Sequence, residues 1–222
     1  MRLIEKEYCY IVEDFFPASV VAGFTKNGLE GRLPADMKKA VSFLREDASV
    51  CYMKQVHGST VVRSDCEGVH EADALLTRER SLALVVRTAD CMPITLYSDA
   101  LDTAGVVHMG WRSARDGILE KISPDMTSFK AVAGISLRKC CYEVGRDFLG
   151  IEGFKPFIEE RSGKLYFDPV SFAKGSLMGL GLKEENFLDL GVCSYCSPSG
   201  FFSHRRTKTE CRTLSFIMRC HG

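Results

Sequence analysis

The sequence predicts an α+β fold, a single domain of mixed β-sheets flanked by helices and spanning residues 1–222. Three observations carry that expectation. Continuous apolar, β-branched runs of strand length dominate the middle of the chain, amphipathic helical stretches are few, and the two kinds of segment do not alternate as a doubly wound sheet requires. With 222 residues, 45% of them hydrophobic and 26% charged, the chain can bury a core without disulfide or metal staples.

Residues 8–12 and 20–24 read as short strands around a turn at Pro17. Asp36 can cap a helix running to about Glu46, with Met37, Val41 and Leu44 on one face. Strands are expected at 50–55 and 60–64, joined through Val56, His57, Gly58 and Ser59. The runs 82–87, 93–97 and 103–108 are predominantly apolar, the pattern of strands covered on both faces. After Gly110, residues 113–122 read as a helix with Ala114, Ile118, Leu119 and Ile122 in its stripe. A strand follows at 129–134, then a helix at 171–180 ended by Gly181, and late strands at 187–192 and 214–218.

Charge and composition exclude several classes. Lys plus Arg and Asp plus Glu balance at 29 each, so no net field favours nucleic acid or an anionic membrane. No apolar run reaches the roughly 18 residues of a membrane span, and Glu5, Lys6, Glu7, Glu13 and Asp14 interrupt any leader-like stretch. The ten cysteines are scattered over a chain too long and too apolar for a secreted disulfide scaffold, so a reducing cytoplasm is the expected compartment. Neither a glycine-rich phosphate loop nor a G-x-S-x-G elbow occurs.

Chemistry concentrates at three residues. His57 stands beside Gly58, His108 closes an apolar strand before Gly110, and Cys91 lies between two apolar strands with Pro93 fixing the turn. Two imidazoles and one thiolate match a catalytic zinc site with an open fourth position, which lowers the pKa of water toward about 7. The alternative is a pair of hydrogen-bonded structural histidines and a buried thiol. The C-x2-C of Cys193 and Cys196 has only His204 nearby as a third ligand, short of a structural zinc set. Cys140 and Cys141 form a vicinal pair for which packing is the default.

Six short motifs, KQVHG (54–58), EADA (71–74), TADCMP (88–93), VHMGWR (107–112), YEVG (142–145) and FFSHRR (201–206), occur in an order that resembles one family. It is known as the laccase-domain or polyphenol oxidase family, the purine nucleoside phosphorylase family and peptidoglycan editing factor. The resemblance runs from about Gly23 to Ile217. It implies an α+β domain, zinc on His57, Cys91 and His108, and phosphorolysis of adenosine, inosine, guanosine or methylthioadenosine together with deamination of adenosine. Small molecules, a purine nucleoside and phosphate, are the implied partners, with no nucleic acid and no membrane. Ser203, Arg205 and Arg206 map onto the family's anion or substrate contacts. The chain departs from the family pattern at Ser113, at Gly134 to Ser136, at Cys211–Arg212 and in a shortened stretch over 28–36.

Asp90 or Glu143 would shuttle protons to the leaving amine, unless they serve as structural carboxylates. A second enzyme class remains open: Cys91 with His108 or His57 could form a thiolate–imidazole pair that hydrolyses an amide, as in editing a peptidoglycan precursor. A third reading is a non-enzymatic partner of the cell-wall machinery. Literal multicopper laccase activity is rejected, because five histidines with no His-x-His pair cannot build a trinuclear cluster. A His2Cys site could still take copper, second to zinc.

Overall fold

The computed structural model describes residues 2–42, 48–198 and 200–220. In chain order the elements are β1 (Arg2–Glu5), β2 (Cys9–Glu13), β3 (Val20–Thr25), α1 (Pro34–Val41), β4 (Ser49–Lys54), β5 (Val61–Arg63), β6 (Gly68–Glu71), β7 (Ala74–Thr77), β8 (Leu82–Thr88), β9 (Met92–Ser98) and β10 (Thr103–Met109). There follow α2 (Trp111–Arg115), β11 (Phe129–Ala133), β12 (Glu143–Val144), β13 (Ile158–Arg161), β14 (Lys164–Phe167), α3 (Pro169–Gly179), β15 (Phe187–Asp189), α4 (His204–Thr207) and β16 (Thr213–Arg219).

Two sheets stack face to face. The larger has the order β1-β2-β3-β16-β8-β4-β6 and the smaller β15-β11-β9-β10-β7-β5, with a separate three-stranded sheet β12-β14-β13. The α+β expectation with mixed sheets holds, and the balance is toward sheet.

Alternation along the central strands explains the layers. Leu82, Leu84 and Val86 of β8 point between the sheets and meet Leu75, Tyr97, Ala104 and Val106 from the other side. Ala83 and Val85 point the opposite way, to a cluster completed by Met37, Ala40 and Val41 of α1. In the smaller sheet, Met92, Ile94 and Leu96 face outward and are covered by Ile118, Leu119, Phe172 and Leu177. Both faces of the central strands are thus buried, which is why their sequences read as largely apolar runs.

Several expected elements are redrawn. The helix expected over 113–122 is only α2, because Gly117 takes φ +71° and the chain continues in turns. Its apolar stripe still packs, with Ile118, Leu119 and Ile122 all buried. Asp36 lies inside α1 rather than at its cap, and its carboxylate accepts from the backbone N–H groups of Arg32 and Leu33. The rest of that expected helix, including Leu44, lies outside the described residues. The strand expected over 187–192 stops at Asp189, whose carboxylate accepts from the N–H of Gly191 at φ +71°. No helix among the described residues is long and apolar enough to cross a membrane.

Candidate metal centre and cavity

Strands β4, β6 and β8 run parallel to one another in the larger sheet, and each is followed directly by a strand of the smaller sheet, β5, β7 and β9. The chain therefore passes from sheet to sheet three times at one end of the sandwich. Those crossings carry His57, Asp73 and Cys91. β10 returns antiparallel to β9 with His108 opposite Pro93, so its end delivers His108 to the same place.

The candidate ligand atoms of His57, Cys91 and His108 all lie within 4.8 Å of one another. The two imidazole rings meet edge to face, 4.7 Å between centroids. Gly110 makes the approach possible: a Cβ there would stand 3.2 Å from both the Cys91 sulfur and His57 Nδ1.

Asp73 organises the cluster. It is wholly buried, and its carboxylate accepts from the backbone N–H of His57 (3.0 Å) and of Gly58 (2.7 Å) and lies 2.8 Å from His108 Nδ1. Burial pushes its carboxyl up, but the hydrogen bonds from His108, Gly58 and His57 outweigh that and hold it below the usual carboxylate range. An ionised Asp73 only accepts, so Nδ1 of His108 donates to it and Nε2 is directed to the cluster. The same carboxylate steadies His57, whose backbone sits in the left-handed region at φ +58°.

Burial works against charge at Cys91 and His108, yet each overcomes it through the other. His108, by charge and hydrogen bond, and then His57 bring the Cys91 thiol down to about 6. Cys91 and Asp73 raise the His108 imidazole to about 9. Without a metal the pair is a thiolate and an imidazolium. A metal must therefore displace the His108 proton, so metal affinity is expected to rise with pH through neutrality until about 9, and to fall again in acid as Cys91 protonates near 6. Competition against a chelator at successive pH values would read this, and a flat profile would contradict it.

The trio opens into a cavity of about 520 Å³, lined also by Arg87, Asp90, Tyr142, Arg205, Lys208 and Arg212. Gln55 brackets Arg87, donating to its carbonyl (2.6 Å) and accepting from its N–H (3.2 Å). Nε of Arg87 is buried with no hydrogen-bond partner. Burial, then the neighbouring Arg212, lowers the Arg87 guanidinium. Two adjacent cations, one with an orphaned donor, make a seat for an anion.

The residues expected at the site do not all meet there. Asp90 lines the cavity, accepting from Ser194 Oγ (2.7 Å) and from the N–H of Arg205 (2.6 Å). Arg205 also lines it, with its guanidinium 5.2 Å from the Tyr142 ring centroid. Ser203 is fully buried and caps α4, its hydroxyl accepting from the N–H of Arg206. The Arg206 guanidinium donates to the carbonyls of Ser194, Tyr195 and Phe201, which holds the loop. Glu143 pairs with Lys164 at 2.9 Å and faces a separate shallow pocket. His204, offered as a third partner for Cys193 and Cys196, lines the cavity instead, and Cys140 and Cys141 take its place beside them.

Sequence reasoning gave no role to Asp73, Arg87, Tyr142 or Arg212. Asp73 stands within the EADA motif, and an acidic residue between two alanines before an apolar strand was the available signal.

A family model described as multi-copper polyphenol oxidoreductase laccase matches residues 31–220. A protein named purine nucleoside phosphorylase from Aquifex aeolicus (strain VF5) is 37% identical over 153 residues, covering 67% of this chain and 71% of its own length. One named adenosine deaminase RL5, from an unknown prokaryotic organism, is 30% identical over 170 residues, covering 69% and 63%. The crystal structure of the hypothetical protein YfiH from Bacillus licheniformis superposes with a TM-score of 0.83 at 22% identity, covering 97% of this chain and 98% of that one.

Proposed function

The chain belongs to the multi-copper polyphenol oxidoreductase laccase family, and on that premise we propose that it is a zinc-dependent purine nucleoside enzyme, carrying out phosphorolysis and adenosine deamination on small molecules in the cytoplasm. The observation that carries the reading is the cation-lined cavity opening onto His57, Cys91 and His108. Its volume falls within the ~300–1,000 Å³ typical of small-molecule sites.

The donor set fits zinc: two imidazoles and a thiolate, one imidazole oriented by a buried carboxylate. When bound, the ion supplies Lewis acidity at an open coordination position. The chain's own residues do the rest. Arg87 and Arg212 bind phosphate, with Arg205 and Lys208 closing the cationic wall, so that a phosphate oxygen is held toward ribose C1′. The half-buried Tyr142 offers a ring face for the purine. Asp90, whose two oxygens each accept one internal hydrogen bond, keeps lone pairs free to take and return a proton at the leaving group.

The test is direct: metal-loaded protein is given adenosine and inosine, each with and without phosphate, and the products are identified. Inosine, free base and ribose 1-phosphate are expected, and their absence would sink the nucleoside reading. Arg87→Met is expected to raise KM for phosphate about tenfold or more, the worth of a charge-assisted contact, with little change in deamination kcat. Equal losses in both reactions would place Arg87 elsewhere than at phosphate.

One observation favours a second reading. Asp73, His108 and Cys91 form a carboxylate–imidazole–thiolate line, the arrangement of a nucleophilic amide hydrolase. In that case activity on an amide, such as a peptidoglycan precursor, survives chelation and is destroyed by thiol alkylation. Multicopper oxidase chemistry finds no support in this donor set. Among the described residues, His70 pairs with Ser64 and the metal-capable groups are the His2Cys trio and a four-cysteine cluster, so a three-copper centre has no ligands.

A further inference from the structure

We infer that Cys140, Cys141, Cys193 and Cys196 form a second metal site, a structural zinc that clamps the wall of the cavity. It shares no residue with the first site and does not rest on the nucleoside reading.

The four sulfurs all lie within 4.8 Å of one another, although 52 to 56 residues separate the two segments. All four cysteines are free thiols. Sulfurs of Cys140 and Cys196 stand 3.7 Å apart. That spacing is too long for a disulfide, yet it matches the edge of a thiolate tetrahedron, about 3.8 Å for zinc–sulfur bonds of about 2.3 Å. Four sulfurs gathered around one point suit a single tetrahedral ion, whereas an iron–sulfur cluster spreads its thiolates over several irons.

The surrounding backbone is built like a metal-binding knuckle. The N–H of Ser197 donates to the carbonyl of Cys193 at 3.1 Å, closing the C-x2-C turn. The two segments are joined by a β-bridge between Ser136 and Cys193 and by the N–H of Ser194 on the Ser136 carbonyl, 2.9 Å. Arg138 spans the same gap, donating to the carbonyls of Val192 and Gly134.

What the clamp holds is the cavity. Tyr142 follows Cys141 directly and lines the cavity. Ser194 lies between Cys193 and Cys196, and its hydroxyl fixes Asp90. The Ser194 and Tyr195 carbonyls seat Arg206, next to Arg205. Ile135 and Phe201 root the two segments in a small apolar cluster, but their tips are open: Cys140 and Cys196 are exposed, and so is Tyr195. A thiolate-bound ion would tie those tips together where apolar packing does not reach.

The experiment uses the full chain purified under reducing conditions. A His57→Ala/Cys91→Ala variant lacks the first site, and it is expected to retain about one zinc per chain. Cobalt substitution of that variant should give the near-ultraviolet thiolate-to-cobalt bands and strong visible bands of a tetrahedral tetrathiolate. Adding Cys193→Ser and Cys196→Ser should remove both metal and bands. Because this last variant could fail to fold, the cobalt spectrum with the four cysteines intact decides the matter on its own. A metal-free double variant, a spectrum without thiolate bands, or mass loss showing disulfides among these four cysteines in the reduced protein would overturn the site. Failure of the nucleoside assay would leave this result untouched.

Discussion

His57→Ala is expected to abolish nucleoside conversion while leaving Cys91, His108 and Asp73 where they are. The substitution removes one of three candidate ligands from the centre, and the His57 side chain takes no part in the bond between Asp73 and His108. The loss in turnover should exceed the roughly 10–100-fold that follows removal of an outer partner, because the donor set itself is broken. Metal content and kcat for adenosine and inosine are the measurements. The variant also separates the two chemistries, since a thiol hydrolase needs only the Cys91–His108–Asp73 line. Retained turnover in metal-free His57→Ala would transfer the reaction to the thiolate.

Asp73→Asn should weaken metal binding about 10–100-fold with the fold preserved. The carboxylate meets three N–H donors, and an amide of the same shape has one oxygen to offer and turns its NH2 toward another donor. His108 then loses the acceptor that fixes its tautomer. Asp73→Ala goes further, leaving the N–H groups of His57 and Gly58 without their carboxylate at a cost of about 1–3 kcal/mol each. Metal affinity by chelator competition and Tm distinguish the two variants: Asn chiefly lowers affinity, Ala lowers both. Unchanged affinity in Asp73→Asn would show that the carboxylate does not orient the imidazole.

The central strands were legible because both faces of β8, β9 and β10 are buried, which leaves predominantly apolar runs with few polar members. The strands β13 and β14 were not, because they carry Glu159, Glu160 and Lys164 on an exposed sheet and lack that signature. Residues 113–122 hold a helical stripe that turns can also bury, and only the conformation of Gly117 decides between them. At the site, the two histidines and Cys91 stood out by residue type beside glycine and proline. Asp73 did not, since its meaning comes from a third crossing that only the sheet pairing creates. The gathering of Cys140 and Cys141 with Cys193 and Cys196 was likewise hidden, because the link between them is a tertiary bridge at Ser136.

The triple crossing has a consequence for mobility. Each linker there is anchored in one β-layer on its N-terminal side and in the other on its C-terminal side, so shear between the layers pulls His57, Cys91 and Asp73 along while His108 stays with the smaller layer. An ion held by His57, Cys91 and His108 would act as a rivet at that end of the sandwich, resisting slip where it sits.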